Sequence, residues 1–254
     1  MLAVDIGNTN IVIGLFEGEE LIRHWRIATR KRATTDEYAV TLRNLFEAAS
    51  LTGVAEIDGA AISCVVPELS EVISSALGSI VKQKPVVVGP GIKTGIPILT
   101  DDPREVGADR IVNAVAAYSI FKGAVIVVDF GTAVTVDYIT SDGEYAGGAI
   151  APGIGVSTGA LFEMAAKLPR VDIAKPKSVL GKSTVESMRA GIYYGFVSLV
   201  DGLVDRMKGE TSGEPIVIAT GGLSSLIAAG CSSIDEVDEF LTLKGLRIIY
   251  EANS

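Results

Sequence analysis

Apolar and polar positions follow two different periods along the chain. Short runs of apolar and β-branched residues, each bounded by turn residues, predict strands. In the first half these runs occupy residues 2–6, 10–16, 20–28, 58–64 and 85–89. The first three are separated only by short turns, which predicts antiparallel neighbours, and the last two are continuous apolar runs typical of strands covered on both faces.

Helical periodicity fills the intervals between these runs. The segment 34–50 opens with TTDE, a capping-box pattern, and continues with apolar residues at helical spacing. The segment 67–80 carries a proline suited to a first helical turn. A third helix is predicted over Asp102–Phe121, with Asp102 as its cap.

The second half repeats this alternation of strands and helices. A strand begins at Ala124 and is followed by a hairpin, a second strand, a loop at 146–155 and a helix near 155–167. A long helix over Thr184–Lys208 opens with another capping-box pattern, and the strand 215–220 runs into a glycine-rich entry to a short helix. This alternation is typical of an α/β fold.

The opening pattern of the chain recurs about half a chain length later. DIGNTN and DFGTAV each place an acid, a glycine and a small polar residue at the end of an apolar run. The overlay places Asp5, Gly7, Asn8 and Val12 on Asp129, Gly131, Thr132 and Val136. The repeat predicts two similar domains, which we place at 1–118 and 119–254.

Charge and cysteine content exclude several classes of protein and site. A net charge of −9 and a pI near 4.8 argue against a nucleic-acid surface, which needs a clustered positive field. His24 is the single histidine, which argues against Ser-His-Asp catalysis and histidine-rich metal sites. Cys64 and Cys231 lie in unrelated contexts, so we expect neither a disulfide nor a zinc site.

The distribution of apolar residues predicts a protein without a membrane partner. Hydrophobic residues make up 48% of the chain, but apolar stretches are broken well before the roughly 20 residues that a membrane helix needs. The first apolar run contains Asp5 and has no preceding basic segment, so a signal peptide is not predicted. We expect a cytoplasmic protein.

The two Asp-x-Gly bends carry candidate chemistry. Each offers backbone N–H groups for anionic oxygens and a carboxylate for a metal ion. Two such bends on either side of a cleft would hold the phosphates of a nucleoside triphosphate, which indicates phosphoryl transfer. Neither G-x-x-x-x-G-K-[ST] nor a helix-opening G-x-G-x-x-G is present. The loop at 89–98 either contacts substrate or is purely structural.

The predicted helix over 102–121 carries the charged sequence GADR at residues 107–110. One interpretation is a surface cluster of ion pairs, as for most charged residues on helices. Glu105 and Asp109, which are both acids, would lie one turn apart on such a helix. A glycine in mid-helix costs about 1 kcal/mol relative to alanine, which indicates that another group closely approaches the backbone there. Asp109 is therefore a candidate general base.

The order of these motifs resembles the type III pantothenate kinases, members of the superfamily of acetate and sugar kinases, Hsp70 and actin. DIGNTN, PREVGADR, DFGTA and GGAIAPG occur in order, and the likeness runs from Asp5 to TLKGL near the end. The resemblance implies a duplicated RNase H-like fold with ATP in a cleft between the halves. It also implies phosphorylation of pantothenate to 4′-phosphopantothenate, the first step of coenzyme A biosynthesis.

On the nucleotide side, the resemblance implies two metal sites and two phosphate loops. Asp5 would hold Mg²⁺, through water, and Asp129 would bind a monovalent cation, K⁺ or NH₄⁺. The first loop, Thr132 and a glycine turn after Thr220 would contact the nucleotide. The ATP-binding residues are then Asp5, Ile6, Gly7, Asn8, Thr9, Asn10, Ile11, Val12, Thr132, Gly221 and Gly222.

On the acceptor side, the resemblance implies that Asp109 accepts the hydroxyl proton of pantothenate. Arg110 would hold its carboxylate, for which a forked guanidinium is suited. Many relatives carry a tyrosine where alignment on Pro103 places Thr100, and a threonine offers a hydroxyl without a ring. The pantothenate-binding residues are then Thr100, Gly107, Ala108, Asp109, Arg110 and Thr184.

The resemblance further implies a homodimer. The apolar residues of the helix over 184–208 would lie either at the interface or inside their own subunit. Two other functions stay open: a kinase acting on another small alcohol or carboxylate, and a nucleotide-binding regulatory protein of the same fold without kinase activity. Retention of Asp5, Asp109 and Asp129 favours catalysis, because a pure binder has little need for a base.

Overall fold

The chain forms two compact units. The structure, a computed structural model, describes residues 1–49, 57–165, 167–211 and 213–254. Unit 1 comprises Met1–Ile96, Asp102–Ala116 and Leu241–Ser254, and unit 2 comprises Pro97–Asp101 and Ala117–Phe240. The division after Ala116 lies close to the proposed domain boundary at 118, but the last helix belongs to unit 1 and not to the second domain, where the sequence analysis placed it.

Unit 1 is built on a five-stranded mixed sheet in the order β3-β2-β1-β4-β5. The strands are β1 (Leu2–Ile6), β2 (Asn10–Glu17), β3 (Glu20–Ala28), β4 (Ala60–Cys64) and β5 (Val86–Val87). The first three are antiparallel, as the short turns between them predicted. Strand β4 runs parallel to β1, and β5 runs parallel to β4. The helices that pack with this sheet are α1 (Thr35–Ala48), α2 (Pro67–Gly78) and α7 (Leu241–Asn253).

The two faces of this sheet have different neighbours. Leu2, Val4 and Ile6 belong to one apolar cluster with residues of α1 and α2. Because side chains alternate along a strand, Asp5 projects from the opposite face. The capping box of α1 is present as predicted: the Thr34 hydroxyl accepts from the Glu37 N–H, and the Glu37 carboxylate accepts from the Thr34 N–H.

Unit 2 repeats the arrangement, with strand order β10-β9-β6-β7-β8. Its strands are β6 (Val125–Phe130), β7 (Ala133–Ile139), β8 (Tyr145–Pro152), β9 (Ile216–Thr220) and β10 (Glu236–Val237). Strands β6 to β8 are antiparallel, β9 runs parallel to β6 and β10 parallel to β9. Its helices are α4 (Ile154–Met164), α5 (Thr184–Glu210) and α6 (Ser224–Ala228). The duplicated α/β fold is thereby confirmed.

The strand pairing corrects one detail of the repeat. Asp5 pairs with Val12, whereas Asp129 pairs with Thr135, so Val12 corresponds to Thr135 and not to Val136. The first bend is one residue longer than the second. Its Gly7 N–H donates to the carbonyl three residues on, at 3.0 Å, whereas the Gly131 N–H donates to the carbonyl two residues on, also at 3.0 Å.

The apolar face of α5 is covered within unit 2. The helix begins after Ser183, whose hydroxyl accepts from the Glu186 N–H, as predicted. The apolar residues considered for a dimer interface are buried in, or packed against, the core of this unit: Ile192, Tyr193, Phe196, Leu199, Val200 and Leu203. Their burial supports the interpretation that this face is internal to the subunit.

The prediction of one helix over 102–121 is wrong. Pro103–Glu105 forms a 3₁₀ turn, capped by the Asp102 carboxylate, and α3 (Ala108–Phe121) begins only afterwards. Val106 between them adopts extended backbone, which ends the turn. Glu105 and Asp109 therefore do not share a helix, and Gly107 precedes α3 instead of lying within it.

The predicted loop at 146–155 is also wrong, because most of it forms β8. Its glycines and alanines carry a weak strand signal, but β8 is held in place by pairing with the long strand β7. Residue 50 of the predicted first helix and residue 166 of the helix near 155–167 lie outside the described residues. Within the described ranges, no helix has the length and apolarity needed to cross a bilayer.

Candidate active site

The first bend follows β1 and carries Asp5 near the strand end. Two residues beyond the end of β3 hold this bend in place: the Thr29 hydroxyl donates to the Gly7 carbonyl at 2.6 Å, and the Lys31 ammonium lies 3.4 Å from Asn8 Oδ1. Asp5 is half-buried, whereas the tip residues Asn8 and Thr9 are exposed. The bend is thus anchored at its base and open to solvent at its tip.

The second bend follows β6 and places Asp129 at the equivalent position. Gly153, the N-cap of α4, donates its N–H to the Thr132 carbonyl at 3.0 Å. Gly221, which follows β9, lies close to the Asp129 carboxylate. A Cβ atom added at Gly221 would lie 2.6 Å from Asp129 Oδ1, so the glycine leaves room for the carboxylate. Gly221 also has a φ of +92°, which a residue with a side chain rarely adopts.

The GADR segment forms the start of α3. Gly107 accepts hydrogen bonds from the N–H groups of Arg110 and Ile111, at 3.1 and 3.3 Å, and so acts as the N-cap. Asp109 Oδ1 accepts from the Arg110 N–H at 2.8 Å. A Cβ atom at Gly107 would lie 2.5 Å from Asp109 Oδ1, so a side chain there would displace this carboxylate from its present position. The helix N-terminus stabilises negative charge at Asp109.

The remaining acceptor-side candidates lie in unit 2. Thr184 is the first residue of α5 and is exposed. Thr100 follows the segment Pro97–Leu99, which pairs with Tyr145 at the edge of the second sheet. Its hydroxyl is buried and has no hydrogen-bond partner within the described part of the chain.

The candidate ATP- and pantothenate-binding residues are therefore divided between the two units. In unit 1, residues 5–12 form the first bend and residues 107–110 form the start of α3. Unit 2 contains Thr100, Asp129, Thr132, Thr184, Gly221 and Gly222. Within it, the structure brings Asp129 together with Gly221.

Sequence reasoning missed one residue beside the first bend. Ser63 lies near the end of β4, pairs in register with Asp5 and is fully buried. The signal available in the sequence was a single hydroxyl in an otherwise apolar run. Because the run was interpreted only as a strand, this hydroxyl was not considered as a candidate.

The carboxylates of the two bends fit metal ions that keep most of their water. Among the described residues, no group of three or more His, Cys, Asp or Glu side chains could together hold a metal. Mg²⁺ commonly uses one or two carboxylates plus waters and substrate phosphates, which suits a single carboxylate such as that of Asp5. The buried hydroxyls beside the two acids, Ser63 and Thr220, have no hydrogen-bond partner among the described residues, which is consistent with a hydrated ion at these positions.

The two cysteines do not contribute a reactive thiol. Burial raises the pKa of Cys64, and the Asp5 carboxylate raises it further. Burial likewise raises the pKa of Cys231, to about 12. Both thiols are therefore protonated at neutral pH.

Comparison with known proteins assigns the family. The sequence model of type III pantothenate kinase matches residues 1–206. A type III pantothenate kinase of Geobacter sulfurreducens is 56% identical to this chain, and the match covers 100% of this chain and 99% of that protein. A type III pantothenate kinase of Moorella thermoacetica is 53% identical, and the match covers 100% of both chains. Among solved structures, this fold is similar to the activator of 2-hydroxyisocaproyl-CoA dehydratase from Clostridium difficile with bound ADPNP. The TM-score is 0.59 at 15% sequence identity, and the match covers 99% of this chain and 94% of that chain. That likeness concerns the fold alone, whereas the family match and the full-length relatives show that this chain belongs to the type III pantothenate kinase family.

Proposed function

We propose that this chain transfers the γ-phosphoryl group of ATP to the hydroxyl group of pantothenate and so catalyses the first step of coenzyme A biosynthesis. The observation that carries the proposal is full-length identity of 53–56% to type III pantothenate kinases. The retained Asp5, GADR and Asp129 motifs agree with it. The same proposal places the chain in the cytoplasm, with no nucleic acid or membrane as partner.

On the donor side, the two bends would hold the nucleotide. Phosphoryl transfer to an alcohol passes through a loose transition state, so positioning and electrostatic stabilisation supply most of the acceleration. In the proposal, the bend at 5–12 and Thr132 hold the phosphates, and Gly221 and Gly222 line the nucleotide. The anchored base and open tip of the first bend support this role.

Two cations complete the donor side of the proposal. Asp5 would hold Mg²⁺ through water, and Asp129 would hold K⁺ or NH₄⁺. When bound, these ions would neutralise charge on the phosphate oxygens. The chain's own contribution is to place one carboxylate at the carboxyl end of β1 and one at the equivalent place in β6.

On the acceptor side, Asp109 would accept the proton of the attacking hydroxyl. The Asp109 carboxylate lies at the start of α3, where Oδ1 accepts from the Arg110 N–H. The Arg110 guanidinium would hold the pantothenate carboxylate, and the Thr184 and Thr100 hydroxyls would donate hydrogen bonds. Exposure of Thr184 supports a contact there, whereas the buried Thr100 hydroxyl needs a local rearrangement to reach a ligand.

A coupled assay tests the proposed function. ADP release from ATP and Mg²⁺ is measured with and without pantothenate, in potassium and in sodium buffer. We expect release that depends on pantothenate and is faster in potassium. Release without pantothenate would favour another acceptor, and no release in any buffer would favour the regulatory alternative.

Replacing Asp5 by alanine tests the proposed Mg²⁺ role. We expect the Mg²⁺ concentration for half-maximal rate to rise roughly 10- to 100-fold, since loss of a residue that orients metal-bound water typically costs that much affinity. Glu20→Ala, at an exposed position of β3, is the matched control and should leave the Mg²⁺ response unchanged. An unaltered Mg²⁺ titration for Asp5→Ala would refute the assignment.

A homodimer is part of the proposal, on the strength of the family resemblance. Because the apolar face of α5 is used inside unit 2, the interface is expected on other apolar side chains of that unit. Exposed examples on β8 and α4 are Ile150, Val156 and Met164. Sedimentation at micromolar concentration should give a dimer, and Val156→Asp should shift it toward monomer; a wild-type monomer would contradict the expectation.

A further inference from the structure

A buried hydroxyl stands opposite each of the two bend acids. In unit 1, β4 runs parallel to β1 and pairs Ser63 with Asp5. In unit 2, β9 runs parallel to β6 and pairs Thr220 with Asp129. Paired residues of neighbouring strands project from the same face, so each hydroxyl lies beside its acid. The duplication therefore repeats a pair, an acid and a hydroxyl, and not the acid alone.

Neither hydroxyl contributes to the fold through a hydrogen bond in the described part of the chain. Ser63 and Thr220 are both 0% exposed, and the hydroxyl oxygen of each has no hydrogen-bond partner there. Buried polar groups are nearly always satisfied, because an unsatisfied one retains its desolvation penalty. Neighbouring positions in these strands, such as Ala61 and Ala219, hold alanine, which carries no such penalty.

The Asp129 carboxylate lies close to the strand that carries Thr220. Gly221 directly follows Thr220, and its Cα lies so close to Asp129 Oδ1 that an added Cβ would be 2.6 Å from that oxygen. In unit 1, strand pairing places Ser63 beside Asp5. Neighbouring strands are about 4.8 Å apart, a spacing that one water bridging hydroxyl and carboxylate can span.

We propose that Ser63 and Thr220 are positioning residues for the cations of the two bends. The Ser63 hydroxyl orients a water in the shell of the divalent ion at Asp5, and the Thr220 hydroxyl does the same for the monovalent ion at Asp129. This inference rests on the proposed function, which supplies both ions. It explains why two equivalent buried positions carry a hydroxyl that has no hydrogen-bond partner among the described residues.

Cation binding without turnover tests the proposal. Mn²⁺, as a probe for the divalent ion, is titrated into the ADP-saturated protein and followed by electron paramagnetic resonance. The monovalent ion is followed by the rise in melting temperature in KCl over choline chloride at equal ionic strength. We expect Ser63→Ala to weaken Mn²⁺ binding about 10-fold while keeping the K⁺ response. Thr220→Val should weaken the K⁺ response while keeping Mn²⁺ binding, and Thr220→Ser should restore the K⁺ response.

Several outcomes would overturn the proposal. If Ser63→Ala and Thr220→Val bound the cations with wild-type affinity, the two hydroxyls would have no role in cation binding. Failure of Ser63→Ala to fold would also overturn it, because the hydroxyl would then act in the fold itself. The ADP-release assay on the wild-type chain separates the two hypotheses: hydroxyl-dependent cation binding in a chain without pantothenate-dependent turnover would reject only the proposed function.

Discussion

Asp109→Asn is expected to lower the turnover number about 10²- to 10⁴-fold, the range that general-base assistance typically provides. The substitution removes the proton acceptor but keeps an oxygen at Oδ1 that can accept from the Arg110 N–H, so the start of α3 should stay intact. ATP binding should change little, because Asp109 contributes to the acceptor side in the proposal. Steady-state kinetics with varied pantothenate and ATP measure both effects.

The control for this substitution is Glu105→Gln. Glu105 is an exposed acid in the neighbouring 3₁₀ turn, and its loss should leave turnover unchanged. If Asp109→Asn weakened only the apparent affinity for pantothenate, with turnover at the wild-type value, Asp109 would be a binding residue and the base assignment would be rejected.

Asp137→Ala is expected to destabilise the protein by about 3 kcal/mol. Asp137 is 1% exposed, and its carboxylate accepts from the hydroxyls of Tyr145, at 2.6 Å, and Thr135, at 3.0 Å. The substitution removes the acceptor of both hydroxyls, and loss of a hydrogen bond to a buried polar group costs about 1–3 kcal/mol. Urea unfolding followed by circular dichroism should show a lower midpoint.

Two further variants serve as controls for the loss of stability expected from Asp137→Ala. Asp142→Ala changes an exposed acid in the turn between β7 and β8 and should alter stability by no more than about 0.5 kcal/mol. Tyr145→Phe keeps the buried ring and removes one donor, so it should cost less than Asp137→Ala. An unchanged urea midpoint for Asp137→Ala would show that the carboxylate contributes nothing to the stability of unit 2.

Much of the fold could be predicted because local signals and tertiary packing agree. The runs that became β1, β2 and β4 are mainly apolar and bounded by turn residues, and TTDE caps α1 as its pattern predicted. The repeat of acid, glycine and polar residue indicated the duplication. It could not give the offset between the copies, because the two bends differ by one residue in length and only strand pairing reveals this.

The segment before Asp109 shows where local signals mislead. Asp102 and the proline after it do cap a helical turn, but that turn ends at Glu105, and the chain extends at Val106 before α3 begins. The pattern predicts that Gly107 lies inside a helix, where a glycine is costly. It is instead the N-cap, and its missing side chain makes room for the Asp109 carboxylate.

Residues that act through strand pairing were the hardest to foresee. Ser63 is 58 positions from its partner Asp5 along the chain, and nothing local links the two until β4 is placed beside β1. The predicted loop at 146–155 fails for a similar reason, since β8 owes its extended form to β7. Of the candidate site residues carried over from the resemblance, the variants above test Asp5 and Asp109.

Helix α7 has a consequence for how the protein is made. Leu241, Leu243, Leu246 and Ile249 are almost fully buried, and the helix packs on β1 and β4, which are translated far earlier. A nascent chain therefore cannot complete its first unit until residues 241–253 have left the ribosome, whereas all residues of unit 2 have been translated by then. Synthesis stalled shortly before Leu241 would leave the partners of this helix uncovered and open to aggregation or chaperone capture.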